Sequence, residues 1–528
     1  MSSDDDDRAF FGHPRGLSTL FFTEMWERLS YYGARAFLMI YMTKPAALGG
    51  RAMPDGTAAT VMALYLSTVY LLSLPGGWIA DRFLGQRKSV TIGGIGITLG
   101  NAMLAIPGGA LFYPGLVMIC LGTGFLKPNV STIVGQLYKP DDIRRDAGFT
   151  VYYMGINIGA GAAPLIGIFI AQSEGFRHFL QGHGLDPNLC WNIGFGAVAL
   201  GMAFGVVQYL VGYKKLGQAG LHPTIPSDPK RAARDRSVLV GIVVGLVGLV
   251  GTAIAVDRFI TPLSDAVISS AFGIGLAIAA IAIFVGFYKT ARDADERKRV
   301  TAMIPLFLGS IVFFGVFEQA STTLSLFAER LVDRHYLGMH VVASAYQFIN
   351  SAFIILLASV FAWMWLRLAK SGREPSTVNK FGIGLLFTAM SFVVMLPSVA
   401  TVGQVEGVHA DYLFAFPFRT VSANYLIVLY FFSTCAELCI SPVGLSSMSK
   451  LAPPRIAGMV MGTWFLGTAI GNFLAGQAAH LSATHGYAFL FWTLIISSLI
   501  FAAAMFLVAP PIKRMLARGQ SPQAEVAS

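Results

Sequence analysis

Residues Phe22–Ile40 read FTEMWERLSYYGARAFLMI, an apolar segment that contains two glutamates and two arginines. Its flanks are apolar enough to extend a helix across a bilayer. At about 100° per residue, the polar residues share one helix face roughly 140° wide: Glu24, Glu27, Arg28, Tyr31, Tyr32 and Arg35. Because ionisable side chains at that depth are costly, they face a partner or a watery cavity. The pattern indicates a membrane protein that handles protons together with a charged solute.

The composition of the whole chain supports a protein with many membrane spans. The 528 residues are 55% hydrophobic and only 12% charged, whereas ordinary soluble domains are about 25% charged. Four cysteines give no disulfide framework. The acidic start, Met1–Arg8, has the wrong charge for a secretory signal peptide. We interpret it as part of a short soluble tail.

Apolar runs of about 20 residues predict fourteen membrane helices, so the expected fold class is an all-α polytopic membrane protein. Their approximate bounds are 16–43, 55–81, 88–107, 111–138, 147–172, 190–213, 237–256, 265–288, 300–327, 341–369, 381–398, 423–448, 456–480 and 487–511. The predicted divisions are a tail (1–15), a six-helix bundle (16–213), a linker (214–236), an inserted helix pair (237–288), a second linker (289–299), a second six-helix bundle (300–511) and a C-terminal tail (512–528).

The distribution of Arg and Lys predicts the orientation. With the N-terminus inside, 28 of the 38 fall on inner segments and 7 on outer loops, while Arg28, Arg35 and Lys127 lie within helices. The positive-inside bias therefore predicts that both termini are cytoplasmic. The net charge of +10 lies along the inner membrane face, so a nucleic-acid partner is not needed to explain it.

Six helices, an inserted pair and six further helices predict two homologous bundles related across the membrane normal. The loop Gly77-Trp-Ile-Ala-Asp81-Arg82-Phe-Leu-Gly85-Gln-Arg87-Lys88 resembles the loop signature of the major facilitator superfamily. The resemblance implies that fold and a cytoplasmic gate at Asp81 and Arg82. The alternative is an ordinary charged inner loop.

Further polar residues lie inside apolar runs of other predicted helices. They are Lys127, Tyr153, Asn157, Glu318 and Glu437. With the first helix they make four buried acids and three buried bases, a near balance that avoids unpaired charge in hydrocarbon. Structural ion pairs are the alternative interpretation, and Glu24 in particular could only hold Arg28 one turn away. The spread of the acids over three helices favours a central cavity.

Several motifs together resemble the proton-coupled oligopeptide transporter family, bacterial members included, over essentially the whole chain. The segments that carry the resemblance are Glu24-x-x-Glu27-Arg28-x-x-Tyr31-Tyr32-Gly33, Gly124-Phe-Leu-Lys127-Pro-Asn129, Phe149-Thr-Val-Tyr-Tyr153-Met-Gly-Ile-Asn157-Ile-Gly159 and Glu437-x-x-x-Ser441-Pro-Val-Gly444. The two extra central helices are also typical of bacterial members. Leu29 and Gly161 depart from the family pattern without removing a charged group.

The resemblance implies symport of di- and tripeptides into the cytoplasm by alternating access. The peptide carboxylate would bind Arg28, Arg35 and Lys127, and guanidinium groups suit this task because they match a carboxylate bidentately. The ammonium would bind Glu437, with Asn157 and Asn350 hydrogen-bonding nearby. Aromatic side chains would form the side-chain pockets, or else only pack the core: Tyr32, Tyr70, Tyr153 and Trp464.

Some animal members of the family that this chain resembles place a histidine on the second helix. The second predicted helix has none here, so the resemblance implies that proton coupling rests on carboxylates. The expected group is Glu24, Glu27, Arg28, Lys127, Glu318 and Glu437. Protonation of Glu27 would release Arg28 for the peptide carboxylate. We expect no metal and no cofactor besides protons, no enzyme activity, a monomeric functional unit, and residence in the lipid bilayer of the cytoplasmic (inner) membrane.

Two other functions remain open from the sequence. The same fold could carry nitrate or a peptide-like drug, although Arg28, Arg35, Lys127 and Glu437 favour a peptide. A membrane receptor or enzyme without transport is a different class of protein. No Ser-His-Asp, metal-ligand or nucleotide pattern supports an enzyme.

Overall fold

The fold is described from a computed structural model of the chain. The residues that the structure describes are 9–139, 142, 144–223, 230, 233–241, 264–336, 339–402, 421–452 and 457–517. The predicted helix at 237–256 therefore lies mostly outside the described residues, as do parts of both tails and of the first linker. Most of the described residues are helical.

The helices of the first half have clear bounds. They are α1 (Arg15–Thr43), α2 (Asp55–Leu71), α3 (Ser73–Ile79), α4 (Gln86–Ala105), α5 (Phe112–Gln136), α6 (Arg145–Ala162), α7 (Glu174–Gly182) and α8 (Leu189–Gly212). A π-helical turn, Ala80–Leu84, follows α3. Pro164–Ile166 and a second π-helical turn, Gly167–Ala171, extend α6. Short 3-10 turns occupy Ala46–Leu48 and Tyr213–Leu216.

The second half of the chain is also built of helices. Its helices are α9 (Asp265–Thr290), α10 (Ala294–Phe317), α11 (Thr323–Arg330), α12 (Gln347–Lys370), α13 (Thr377–Val393), α14 (Leu396–Val402), α15 (Asn424–Leu451) and α16 (Ala457–Ala517). The 61-residue α16 consists of two helices joined at Gly486, whose φ of 83° breaks the helical path. Short 3-10 turns occupy Glu318–Ser321 and Ala343–Tyr346.

These helices confirm the prediction of an all-α membrane protein. Within the described part of the chain, ten helical segments are long and apolar enough to cross a membrane, one of them the joined pair in α16. Each predicted membrane helix except 237–256 coincides with an observed helix or a chain of short ones. The agreement follows because a bilayer requires about 20 apolar residues for each span.

The structure also contains elements that the sequence did not predict. The helix α7 lies in the loop between two predicted membrane helices, and the hydroxyl of Ser173 caps it by accepting from the Phe176 amide at 3.1 Å. Two short sheets lie in later loops. In one, β1 (Val332–Asp333) pairs in parallel with β4 (Val421–Ser422); in the other, β2 (His335–Tyr336) pairs antiparallel with β3 (Met339–His340).

Glycines bring α4 and α5 into backbone contact. A Cβ atom added to Gly93 would lie 2.5 Å from the Gly122 carbonyl oxygen, and one added to Gly122 would lie 2.6 Å from that of Gly93. Gly100 and Gly115 form a second reciprocal pair, with corresponding distances of 2.6 and 2.8 Å. Both pairs recur at seven-residue spacing, so only helices that lack side chains at these positions can approach so closely.

The chain forms two compact units. The first comprises the described residues of Met1–Arg35, Pro45–Arg51 and Thr68–Ile274; the second comprises those of Ala36–Lys44, Ala52–Ser67 and Gly275–Ser528. The C-terminal end of α1 and the first part of α2 thus pack with the second unit. The core of the first unit includes Leu126, Val130 and Met202, and that of the second includes Phe313, Phe381 and Trp464.

Candidate functional site

In the first unit, two carboxylates hold one guanidinium group inside α1. Arg28 donates from Nε to one oxygen of Glu27 and from Nη2 to the other at 2.5 Å, a fork-shaped pair. The Glu24 Oε1 lies 3.4 Å from the same Arg28 Nε. All three side chains are fully buried. A buried pair of this kind is stable only while both partners are charged, because removing one charge leaves the other without compensation.

Two tyrosines separate the two arginines of this helix. The Arg28 guanidinium carbon lies 4.8 Å from the ring centre of Tyr31 and 5.7 Å from that of Tyr32. The Arg35 carbon lies 5.7 and 5.5 Å from the same two ring centres. Cation–π contacts of this kind stabilise a guanidinium group without neutralising it. The two rings therefore do not neutralise either guanidinium group, and the charge of Arg28 is balanced by Glu27.

Lys127 of α5 contacts an aromatic ring of α2. Its Nζ lies 4.0 Å from the ring centre of Tyr70, and that ring in turn lies edge-on to Tyr31 at 6.4 Å. The contacts join Lys127 to the residues around Arg28. The predicted residues of the first unit therefore form one cluster: Glu24, Glu27, Arg28, Tyr32, Arg35, Tyr70 and Lys127. It contains three cationic side chains and two carboxylates.

The cluster also contains a residue that the sequence reasoning missed. The hydroxyl of Tyr152 on α6 donates to Glu24 Oε2 at 2.6 Å. Two glycines make this contact possible, because a Cβ atom on Gly155 would lie 2.9 Å from the Phe21 carbonyl oxygen and one on Gly159 would overlap that of Met25. The close approach of α1 and α6 brings the tyrosine within reach of the carboxylate.

Tyr153 and Asn157, the two residues of α6 that the sequence did predict, have surroundings that differ from those of Tyr152. Tyr153 is 48% exposed, and Asn157 donates from Nδ2 to the Tyr153 carbonyl oxygen at 3.0 Å. This last bond is a backbone contact within α6, so the observed geometry assigns neither residue to the Glu24 cluster. Their roles in binding stay predictions.

In the second unit, three side chains form a hydrogen-bonded chain around the predicted ammonium site. Asn350 Nδ2 on α12 donates to Glu437 Oε2 on α15 at 3.1 Å. The Thr434 hydroxyl donates to Asn350 Oδ1 at 2.6 Å, which fixes the orientation of the amide. Asn350 therefore holds the carboxylate from one side, and its role in substrate binding stays a prediction. Thr434 is a further participant that sequence reasoning did not single out.

Glu318 lies where a predicted membrane helix is interrupted. The sequence predicted one helix over 300–327, but α10 ends at Phe317 and a 3-10 turn, Glu318–Ser321, precedes α11. Side chains compete with the helical backbone here: the Ser321 hydroxyl donates to the Glu318 carbonyl at 3.1 Å, and the Ser325 hydroxyl donates to that of Ala320 at 2.8 Å. The carboxyl group of Glu318 is buried at this break.

Trp464 lies in the apolar core of the second unit. It is 4% exposed, and its ring packs edge-on against Phe314 at 6.2 Å and Phe381 at 6.4 Å. Gly444 makes room for it, because a Cβ atom there would overlap the indole. The observed contacts are those of a packing residue, and the substrate-pocket role of Trp464 stays a prediction.

The loop after α3 is anchored by a buried arginine. Arg87 donates from Nε to the Ala219 carbonyl at 2.6 Å and from Nη2 to that of Gly217 at 2.7 Å. Of the two predicted gate residues, Asp81 accepts from Gln86 Nε2 at 2.7 Å, and Arg82 lies with its Nε 3.6 Å from Asp235 Oδ2. The loop signature thus connects α3 and α4 to the chain that follows α8.

Charged residues of the second unit form ion pairs near the end of α1, the start of α2 and the end of α11. Arg330, at the end of α11, forms a fork with both oxygens of Asp55 at 2.5 and 2.8 Å. Glu329 contacts Lys44 at 2.5 Å and Arg334 at 2.9 Å. These contacts tie the end of α1 and the start of α2 to α11, and the sequence did not predict them.

These observations define a class of protein. Membrane-spanning helices in two units, each with buried ionisable side chains, are typical of a multi-span membrane transporter. Within the described residues, no group of three His, Cys, Asp or Glu side chains is arranged to hold a metal ion. The chemistry that these side chains offer is reversible protonation and recognition of charge.

Comparison with known proteins identifies the family. The model of the POT family matches residues 87–490. The di-/tripeptide transporter of Lactococcus lactis subsp. lactis is 35% identical, with 97% of this chain and 98% of the relative covered. The uncharacterized transporter YclF of Bacillus subtilis is 36% identical, with 96% of each covered. A crystal structure of a peptide transporter POT mutant in complex with alafosfalin is 37% identical, with 97% of each chain covered and a TM-score of 0.82.

The chain therefore belongs to the POT family. The structural matches also confirm the major facilitator fold that the loop signature implied. The protein is a multi-pass membrane transporter.

Proposed function

We propose that this protein imports di- and tripeptides together with protons by alternating access. The observation that carries the proposal is the buried fork between Glu27 and Arg28, beside Glu24. It places a proton acceptor in direct contact with a cation that suits a peptide carboxylate. Family membership and the L. lactis relative, which is named a di-/tripeptide transporter, support the same conclusion.

Substrate recognition divides between the two units. In the first unit, Arg28, Arg35 and Lys127 attract the peptide carboxylate. In the second, Glu437, which Asn350 positions at 3.1 Å, attracts the ammonium group. A dipeptide is a zwitterion, so a cationic and an anionic group together select it against simple anions or cations. Asn157 supplies a further hydrogen bond, and Tyr32, Tyr70, Tyr153 and Trp464 form walls that accept varied side chains.

Proton coupling follows from competition for Arg28. While Glu27 is ionised, it occupies two donors of the Arg28 guanidinium. A proton on Glu27 removes the charge that holds the pair and frees these donors for the peptide carboxylate. Proton and peptide then enter together, since either one alone leaves a buried charge without compensation. Glu24 and Glu318 are the other proposed proton carriers.

The available driving force is sufficient. One charge moved through 100 mV gains about 2.3 kcal/mol. At about 1.4 kcal/mol per factor of ten, this supports roughly fortyfold accumulation of peptide. No chemical step on the substrate is required, so we propose a carrier without enzyme activity and without a cofactor other than the proton.

The two charged regions at the ends of the helices suit gating roles. We assign the outer gate to the ion pairs of Asp55 with Arg330 and of Lys44 with Glu329. The cytoplasmic gate is Asp81 and Arg82. We also propose that both chain termini lie in the cytoplasm and that the protein acts as a monomer in the inner membrane. The excess of Arg and Lys on the inner segments supports the orientation.

Uptake of di-alanine into proteoliposomes with an imposed inward proton gradient tests the proposal. Glu27→Gln should lose proton-driven accumulation but keep peptide counterflow, because Arg28 can still bind the peptide carboxylate. Glu437→Gln should lose both, because the ammonium site is gone. Glu174→Gln, an exposed glutamate of α7, is the matched control and should behave as wild type. Accumulation by Glu27→Gln at the wild-type level would contradict the proposed coupling.

A different solute on the same fold is the second candidate. The solved relative in complex with alafosfalin favours a peptide-like drug over nitrate within this alternative. If folded wild-type protein takes up no di-alanine but exchanges such a compound, the second candidate replaces the first. Peptide binding without flux of any solute would indicate a receptor.

A further inference from the structure

A groove separates α1 from α8 on the surface of the first unit. Its volume is about 400 Å³, within the range of small-molecule sites. At one end of the groove the two helices are in contact, because α8 carries glycines where Trp26 of α1 crosses it: a Cβ atom on Gly205 would lie 2.7 Å from the Trp26 Cβ, and one on Gly201 would lie 3.6 Å from the indole Cε3. The groove is lined by Trp26, Phe204, Val207, Gln208, Val211 and Lys215.

The length of the groove along the two helices matches the thickness of one leaflet's hydrocarbon layer. At one end, the backbone of Lys215 lies against Gly16, near the start of α1, where an added Cβ would be 2.9 Å from the Lys215 carbonyl oxygen. At the other end, Gly205 lies against Trp26. The ten residue steps from Gly16 to Trp26 along α1 span about 15 Å at 1.5 Å per residue. This length is half of the ~30 Å hydrocarbon core, so the groove is long enough to hold an acyl chain of one leaflet.

The walls of the groove are apolar along this length. Phe204 is 61% exposed and Val211 is 78% exposed, and the rings of Phe204 and Trp26 lie 6.1 Å apart. The polar lining residue, Gln208, bonds to α1: its Oε1 accepts from the Thr23 hydroxyl at 3.3 Å and its Nε2 donates to the Thr19 carbonyl at 3.4 Å. The groove therefore offers a hydrocarbon surface to its occupant.

Positive charge is concentrated at the end of the groove where Lys215 lies. Lys215 lines it directly, and Lys214 and Arg15 are exposed beside it. An occupant that matches both features has an anionic group at the membrane surface and a hydrocarbon chain that reaches the middle of the bilayer. A phospholipid has this shape and charge distribution.

We propose that the groove binds one anionic phospholipid of the cytoplasmic leaflet, with its phosphate at Lys215 and an acyl chain against Trp26 and Phe204. The choice of leaflet rests on the orientation in the proposed function. Trp26 lies between Glu24 and Glu27 in sequence, on the helix that carries the Arg28 fork. The bound lipid therefore contacts the same helix as the proton-coupling cluster and stabilises its packing on α8.

Fluorescence quenching by brominated lipids tests the proposal directly. Wild type and Trp26→Phe are reconstituted with bromine-labelled phosphatidylglycerol or phosphatidylcholine at equal mole fractions. The difference between the two proteins reports Trp26 alone among the seven tryptophans. We expect at least threefold stronger binding of phosphatidylglycerol than of phosphatidylcholine. Lys215→Gln should reduce the ratio of phosphatidylglycerol binding to phosphatidylcholine binding to near one. Lys289→Gln, at the end of α9, should leave this ratio unchanged.

Two results would overturn the proposal: equal quenching of Trp26 by both lipids, or a preference for phosphatidylglycerol that survives in Lys215→Gln. Native mass spectrometry of the wild type gives a second measurement if Trp26→Phe fails to fold. Retention of phosphatidylglycerol over phosphatidylcholine should then disappear in Lys215→Gln. Peptide uptake measured in the same liposomes separates a failure of the lipid site from a failure of the proposed transport function.

Discussion

At the scale of single residues, the sequence revealed the charges of the candidate site but not all of their partners. Glu24, Glu27, Arg28 and Lys127 were identifiable because ionisable residues stand out in apolar runs. Tyr152 was not, because it adjoins Tyr153 and both fit a membrane helix equally well. The choice between them depends on the rotation of α6, which the glycine contacts with α1 determine.

Substitution of Tyr152 tests the contact with Glu24. Tyr152→Phe removes a hydroxyl that donates to a buried carboxylate at 2.6 Å, and hydrogen bonds to charged groups contribute about 1.5–3 kcal/mol. We expect proton-driven di-alanine uptake to fall about tenfold, which corresponds to about 1.4 kcal/mol. Initial uptake rates at equal amounts of folded protein provide the measurement.

Tyr138→Phe is the matched control, because it also removes a buried tyrosine hydroxyl but one that bonds to His13 outside the cluster. Its uptake rate should stay close to that of wild type. An equal loss of uptake in both variants would mean that Tyr152 acts only through general stability.

At the scale of elements, small residues decide where helices meet. The sequence showed that glycines were frequent in several predicted helices, but not which of them face a neighbouring helix. The structure distinguishes those that another backbone or ring contacts from those with space around them. It also explains the glycine at the end of the Glu437 motif, since Gly444 accommodates Trp464.

Two glycines of the second unit give a matched test of this packing. A Cβ atom on Gly444 would overlap the Trp464 ring and lie 2.8 Å from Phe381 Cζ, whereas one on Gly315 would lie 3.6 Å from its nearest neighbours. Gly444→Ala should therefore destabilise the protein by about 1–3 kcal/mol. Gly315→Ala should leave the thermal unfolding midpoint in detergent nearly unchanged. Similar midpoints for the two variants would refute the packing argument.

The segment before α1 is held by a contact that depends on pH. The Tyr138 hydroxyl lies 3.0 Å from His13 Nδ1, and Asp142 and Arg144 are the nearby charged groups. Burial, with a smaller contribution from Arg144, lowers the pKa of His13. Burial raises the pKa of Tyr138 to about 12. Both shifts favour neutral groups, so the tyrosine hydroxyl donates to the imidazole.

The sign of the pH dependence follows from the His13 shift. A docked His13 binds a proton less readily than a free histidine, whose pKa is about 6.5. Docking is therefore fully stable above about pH 6.5 and weakens as the pH falls below it. Hydrogen exchange of the peptide spanning residues 9–20, corrected for intrinsic rates, should be faster at pH 5.5 than at pH 7.5. His13→Gln should abolish the difference, and an unchanged difference would assign it to another group.

At the scale of the whole molecule, the sequence predicted where the membrane helices lie in the part of the chain that the structure describes, because every span must be apolar and long enough to cross the bilayer. It did not predict the break at Glu318, since that break depends on side chains that bond to the backbone. It also did not pair Asp55 with Arg330, which are 275 residues apart. Charge patterns identify candidate groups, whereas their pairing requires the fold.

The central claim is that each peptide enters with a proton, and internal pH measures this most directly. Wild-type protein is reconstituted into liposomes that contain a pH-sensitive dye, with no imposed proton gradient and with potassium and valinomycin to prevent charge build-up. Addition of di-alanine outside should acidify the interior, and Glu27→Gln should abolish this response. Uptake of di-alanine by the wild type without any internal acidification would contradict the account.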